Sequence, residues 1–466
     1  TDVCDDPGTC FATCTHTACS VACYSDTDCD DGDPATTNTC LNPGQCSSSC
    51  EFTPCTIACT VDADCGDGDP LTADTCYEAG TCDAYCQSDF DYTLVPQLRD
   101  YMAGGADAEY TQLALNNANT NLYALDWYYG KIDVFEPSTL SFSHSISSSM
   151  LSIAMVKDPS RDALYIKRVD FGGGQIVGER KAGRSAAGRR AAGRHANAGD
   201  MGGTPPSIVK LDLSTETEVA TVYPSSYYAY YPLMNLAVSG NRDELYSLEW
   251  MDMYDPGISV ISLDSFSEVA MVDTTAYPSY YYGNMAVNES GEKLMINNTM
   301  AYEGYTEYSS IAEIDLSTRV ETGTSVVDVG TDSVGYITAY NSDLNTYLYT
   351  LESSEGDGNP SLTAYDLDSY TEVCSSMLSF GYNAFIGVVP EFQHVYITGY
   401  YGIEVYDGTD CSLVTYADVA APIFGMAFNR DTGEVYISHS TSTISIMQYA
   451  ASGTVTPPQG YPLLLK

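Results

Sequence analysis

The sequence predicts an all-β chain: a seven-bladed β-propeller preceded by a small disulfide-rich repeat arm. Three observations carry this. Fifteen of the 17 cysteines crowd between Cys4 and Cys86. Beyond Phe90 the chain is rich in Val, Ile, Tyr and Thr, in short alternating runs broken by Asn, Asp, Gly and Ser, a strand-and-turn texture. A hydrophobic-Tyr-hydrophobic motif then returns in seven units of roughly 40–54 residues, one unit being much longer, as propeller blades do. The expected divisions are 1–89 for the arm, 90–450 for the propeller with a basic insertion at about 172–204, and 451–466 for an extended tail.

Charge narrows the function classes. The balance is 18 − 63 = −45. Nucleic-acid binding needs clustered Lys and Arg for phosphate contacts, and docking on anionic membranes needs the same. Disorder is excluded by 44% hydrophobic content with 39 Tyr and 12 Phe, enough to fill a large core. No run of 18 apolar residues offers a membrane span. The dense cysteines indicate an oxidising compartment, so the expected location is extracellular and secreted. The chain starts at Thr1 rather than Met, which reads as a processed form. The sequons at Asn288 and Asn297 fit glycosylation on a eukaryotic secretory route.

In the arm, Cys19, Cys23, Cys29, Cys40, Cys46 and Cys50 recur 36 residues later as Cys55, Cys59, Cys65, Cys76, Cys82 and Cys86. Shifted backwards, the last three of the set fall on Cys4, Cys10 and Cys14, so the arm is two and a half repeats of C-x3-C-x5-C-x10-C-x5-C-x3-C. A disulfide framework is favoured over a zinc cluster, because no CxxC pair occurs and no His except His16 stands near a ligand spacing. The spacing leaves the connectivity open. Fifteen arm cysteines cannot all pair among themselves, and Cys374 and Cys411 are expected to pair with each other. One arm cysteine is then free or bonded to another chain, and the half repeat makes Cys4, Cys10 or Cys14 the expected intermolecular link.

Each long gap carries an acidic turn, with Asp26, Asp28, Asp31 and Asp33 in the first and Asp62, Asp64, Asp67 and Asp69 in the second. Gly and Pro supply the turn. The carboxylates offer hard oxygen ligands for calcium, the single cofactor the sequence points to, although the spacing is not that of an EF-hand. The competing reading is a solvated Asp-rich turn. No Lys or Arg occurs before Arg99, so these acids have no basic partner inside the arm.

In the body the motif reads Leu122-Tyr, Leu164-Tyr, Leu245-Tyr, Leu294-Met, Leu348-Tyr, Val395-Tyr and Val435-Tyr, each after a polar turn. An Asp-containing turn then joins a further antiparallel pair, as at 207–222 and 258–272. The run Thr443 to Tyr449 is expected to supply the last strand of the ring, with the strand near Tyr92 to Val95 closing against it. Closure removes long exposed edges. These turn-Leu/Val-Tyr strands resemble the YVTN-type β-propellers of secreted and surface-layer proteins over about 110–450. That resemblance implies the fold rather than a function.

Between Arg180 and Arg194 stand Arg180, Lys181, Arg184, Arg189, Arg190 and Arg194, six of the 18 basic residues, in an Arg/Ala/Gly run. This segment is read as a docking loop for an acidic surface such as another copy of the arm, as a loop without a role, or as an error in the gene model. Tyr227, Tyr228, Tyr280 and Tyr281 belong to two clusters at equivalent places in neighbouring units, suited to protein or glycan contacts or to blade-to-blade packing.

Nothing assembles a catalytic constellation. His16, His144, His195, His394 and His439 share no metal spacing, and neither a nucleophile elbow nor a phosphate-binding loop occurs. His394 and His439 are read as packed or surface residues rather than a pair at the channel. A non-enzyme is expected. The arm and the β region behind it are similar in plan to the mastigoneme proteins, secreted acidic glycoproteins of tubular flagellar hairs that carry EGF-like cysteine motifs. Cys19 to Cys86 carry the likeness, with gaps of 3, 5, 10, 5 and 3 that depart from the usual EGF pattern. The resemblance implies a structural subunit of a fibre, on a flagellum or cell surface, as a homo-oligomer or helical polymer in which the arm of one subunit docks on the propeller of another. The Pro-bearing tail is a second docking candidate. The rival expectations are a monomeric calcium-dependent adhesin or glycan-binding protein and, third, a secreted propeller hydrolase.

Overall fold

A computed structural model describes residues 2–5, 7–16, 19–104, 108–126, 129–147, 151–169, 206–225, 236–250, 256–274, 285–288, 293–299, 309–328, 333–341, 346–353, 360–367, 369–379, 385–399, 402–419, 423–439 and 442–451. The chain divides into Thr1–Asp91 and Tyr92–Lys466, two residues beyond the division expected at 89.

The first unit holds three two-stranded hairpins: Asp2–Asp5 with Thr13–His16, Thr36–Leu41 with Ser49–Pro54, and Thr72–Tyr77 with Tyr85–Phe90. A 3-10 turn precedes each of the last two, at Asp26–Cys29 and Asp62–Cys65. Its cores are largely sulfur. Cys23, Cys29 and Cys40 form one, and Cys59, Cys65 and Cys76 with Ala84 form the other. The repeat ends on a substitution: the Asp91 N–H donates to Leu71 as the Cys55 N–H donates to Ala35, so Asp91 stands where a third repeat would begin with cysteine.

The second unit is a seven-bladed β-propeller of four-stranded antiparallel sheets. Blade 1 spans Tyr110–Leu115, Leu122–Asp126, Lys131–Glu136 and Ser141–Ile146. Blades 2 to 6 follow in the same order, opening with Leu151–Lys157, Leu236–Ser239, Met285–Val287, Ser333–Asn341 and Phe385–Val389. Blade 7 is Ile423–Asn429, Glu434–His439 and Thr443–Ala450, completed on the outside by Val95–Ala103. The first strands neighbour one another around the ring, and that of blade 7 neighbours that of blade 1. The ring therefore closes between its two chain ends, as expected, with the N-terminal strand starting at Val95 rather than Tyr92.

The recurring motif is the second strand of each blade, the most buried. Tyr123, Tyr165, Tyr246, Tyr349, Tyr396 and Tyr436 are at most 1% exposed, and Met295 takes the place in blade 4. Full burial of such a side chain contributes about 1.5–3 kcal/mol. The hydroxyls need acceptors. Tyr165 donates to Asp158 at 2.7 Å, Tyr246 to Glu244 at 2.7 Å, and Tyr349 to the Gly408 carbonyl at 3.1 Å. Burial pushes the Tyr165 and Tyr246 hydroxyls up, which keeps them protonated donors.

Two features repeat around the ring. Every outer strand contains a bulge: the register skips Ser143, Val219, Val269, Thr322, Val373, Val414 and Arg99 in blades 1 to 7. Bulges bend an edge strand away from foreign pairing. In blades 1 to 6 the turn between third and fourth strands holds one non-glycine residue in the left-handed region: Leu140, Glu216, Phe266, Arg319, Tyr370 and Cys411, with φ between 48° and 57°. Each grips the preceding blade. Leu140 packs into a cluster shared with blade 7. Glu216 accepts from Tyr123 at 3.0 Å and meets His144 at 2.6 Å. Phe266 stacks on Tyr165 at 5.8 Å. Arg319 pairs with Glu244 at 2.7 Å, and Tyr370 receives Lys293 over its ring at 4.9 Å. Cys411 is bonded to Cys374. Blade 7 grips blade 6 through Tyr449, which stacks on Phe392 at 4.0 Å and shares a hydrogen bond with His394 Nδ1 at 2.9 Å.

Candidate functional site

The arm repeats share one disulfide order, first to fifth, second to fourth and third to sixth. The bonds are Cys19–Cys46, Cys23–Cys40 and Cys29–Cys50, then Cys55–Cys82, Cys59–Cys76 and Cys65–Cys86. Three sulfurs gather within 4.8 Å at Cys23, Cys29 and Cys50, and again at Cys59, Cys65 and Cys86. All six belong to disulfides, so none is a thiolate free to bind zinc. The Cys374–Cys411 bond is the one the sequence led us to expect, and it staples blade 6 to blade 5.

The eight aspartates singled out in the acidic turns serve their own backbone. Asp26 accepts from the Cys40 N–H at 2.7 Å and Asp62 from the Cys76 N–H at 2.9 Å, tying turn to hairpin. Asp28 accepts from the N–H groups of Tyr24 and Ser25 at 2.7 and 3.1 Å, and Asp64 from those of Thr60 and Val61 at 2.8 and 3.2 Å. Asp31 and Asp67 accept from Asp33 and Asp69, which accept in turn from Ala35 and Leu71. The Tyr24 and Ser25 N–H groups hold the Asp28 carboxyl below its usual range, and those of Thr60 and Val61, with the Thr60 hydroxyl, do the same for Asp64. The N–H groups of Asp33 and Asp69 lower Asp31 and Asp67. Among the described residues no three carboxylates bring oxygens within 4.8 Å of one another.

The half repeat keeps the hairpin. Cys4 stands opposite Cys14 in register, as Cys40 does opposite Cys50 and Cys76 opposite Cys86. Their side chains lie outside the described residues. Cys10 is described: it is a free, exposed thiol, with Phe11 beside it 85% exposed. Its repeat equivalents Cys46 and Cys82 are both bridged.

In the propeller, polar side chains cluster where second strands end. Lys167 is 0% exposed and pairs with Glu249 of the next blade at 2.8 Å, while donating to Ser247 at 3.0 Å. Asp133 is buried with Lys131 at 2.7 Å, Tyr110 at 2.7 Å and Ser145 at 2.5 Å. His439 meets Ser445 at 2.5 Å. The Lys167 contacts join blade 2 to blade 3, whereas the Asp133 cluster lies within blade 1 and the His439–Ser445 pair within blade 7. His394 is 7% exposed, wedged against Phe392 and Tyr449, and burial pushes its imidazole down to about 4. It is a packed histidine, as its place beside a strand motif suggested.

In sequence the basic residues Arg180, Lys181, Arg184, Arg189, Arg190 and Arg194 fall between strands Ala163–Val169 and Ser207–Asp212, and Tyr227, Tyr228, Tyr280 and Tyr281 fall ahead of strands Leu236–Ser239 and Met285–Val287. All of them fall outside the described residues, as do His195 and residues 452–466 of the tail. Of the sequons, Asn288 is 5% exposed, burial that a glycan would have to displace, and Asn297 lies in strand Lys293–Thr299 with its side chain outside the described set.

No family model matches the sequence, and no curated protein does. Among solved structures, a hydrazine synthase from Kuenenia stuttgartiensis aligns with a TM-score of 0.53 over 75% of this chain and 97% of that one, at 11% identity. At that identity the likeness is one of fold, and it agrees with the propeller built above from strand order.

Proposed function

We propose that this chain is a secreted structural subunit, without catalytic activity, that assembles into an extracellular fibre of the flagellar-hair kind. The observation that supports this most is Cys10. An exposed thiol in an arm whose twelve cysteines from Cys19 to Cys86 are all bridged is an oddity for a secreted monomer and a natural coupling point for a second chain. Head-to-tail contact of arm on propeller propagates into a filament unless rotation closes it. The propeller supplies a rigid unit whose bulged rim resists unplanned pairing.

The test is electrophoresis of native material without reductant, beside electron microscopy. Disulfide-linked multimers should collapse to monomer on reduction and be absent in Cys10→Ser. Monomer alone in both, with isolated particles by microscopy, would sink the reading and leave the monomeric adhesin as its successor. The reading does not depend on calcium.

A further inference from the structure

The chain treats its sheet edges in two ways. All seven outer strands of the propeller are bulged. The arm hairpins Thr36–Leu41 with Ser49–Pro54 and Thr72–Tyr77 with Tyr85–Phe90 run without any shift of register. Their second strands are exposed over 51–54 and 85–89. Among the described residues, 50–53 and 86–89 make no backbone hydrogen bond beyond their own hairpin. An edge strand without a bulge offers its outward N–H and C=O groups as a template for one more strand, up to Pro54 in the first of these hairpins.

Charge selects the occupant. The arm contains no Lys or Arg, so a second arm would bring only like charge. The propeller cations are largely committed: Lys131 to Asp133, Arg161 to Asp243, Lys167 to Glu249, Arg168 to Glu218, Lys293 to Glu313 and Arg319 to Glu244. Residues 180–194 hold six cations on a backbone of Ala, Gly and Ser, side chains small enough for a strand to approach an edge closely. We infer that the open edges at 50–53 and 86–89 receive the 180–194 segment of a second copy as an added strand, main-chain bonds giving the register and the arm's carboxylates holding the cations. This rests on the assembly reading and names its contact.

The experiment uses the full chain carrying R180Q, K181Q, R184Q, R189Q, R190Q and R194Q, which leaves the edges empty, and a synthetic peptide of residues 180–194. Amide hydrogen exchange at low salt should slow at least tenfold within 50–53 or 86–89 when the peptide is added. Gln87→Lys, on an exposed edge position, should weaken peptide binding at least threefold, and raised salt should abolish it. Absence of binding at low salt, or protection confined to the propeller, overturns the inference. Filaments of the wild-type chain seen without arm protection would overturn it too, while leaving the assembly reading intact.

Discussion

At the scale of single residues, several of the described polar side chains hold backbone and neighbours. Asp28 and Asp64 show it in the arm, where each carboxylate takes two N–H groups ahead of a 3-10 turn. Because these N–H groups lower both carboxyl pKa values, this support is full above the ordinary carboxylate range and fades as pH falls through the lowered values. His394 works with the same sign by the opposite route. Its folded imidazole titrates near 4, below the unfolded value, so the unfolded chain takes up the proton first. Stability should therefore fall between about pH 6.5 and pH 4. In His394→Gln, thermal midpoints measured at pH 7 and at pH 4.5 should lie closer together than in the wild type. An unchanged gap would show that His394 is not the group responsible.

At the scale of elements, the turn between third and fourth strands is the informative unit. Glycine would adopt its left-handed position freely, yet six blades place a side chain there and use it as a grip. A left-handed L-residue costs roughly 1–2 kcal/mol, which each grip must offset. Phe266 allows this to be measured, since Phe266→Ala loses the stack on Tyr165 and keeps the strain, whereas Phe266→Gly loses both. Denaturant unfolding should rank Phe266→Gly above Phe266→Ala by about 1 kcal/mol, the reverse of the usual order within ordered structure. These grips were not legible in the sequence, because Leu140, Phe266 and Tyr370 carry no glycine or asparagine signal of a left-handed turn. The bulges were hidden for a similar reason: Val219, Val269 and Val373 look like ordinary strand residues. The second strands were legible because complete burial demands unbroken apolar character around one tyrosine. The disulfide order was not, since the hairpin sets Cys40 opposite Cys50 and bonds neither to the other. The acidic turns were found by composition, but composition could not show that each carboxylate faces a different backbone donor.

At the scale of the whole molecule, the two units rest on different sources of stability. The propeller buries aliphatic and aromatic side chains between blades. The arm's cores are cysteine clusters, and small domains of this kind typically lose 2–5 kcal/mol when a native disulfide is removed. Reduction should therefore unfold the arm and spare most of the ring. Hydrogen exchange under reductant should show lost protection over 19–91 and retained protection in the second strands of the blades. Simultaneous loss in both would mean that the ring depends on the single Cys374–Cys411 staple far more than its buried strands imply.

The blade-to-blade grips have one more consequence. The third-to-fourth-strand grips and Tyr449 differ in chemistry from seam to seam: a leucine, a carboxylate, an aromatic stack, an ion pair, a cation on a ring, a disulfide and a tyrosine on a neutral histidine, with further ion pairs beside the stack between blades 2 and 3. A ring fastened alike throughout would meet its failure condition everywhere at once. This one has no common solvent for its fasteners. Reductant reaches blades 5 and 6, acid reaches blades 6 and 7, and salt reaches the ion pairs that join blades 2, 3 and 4, so the kind of stress selects the place of opening while the other seams hold the circle.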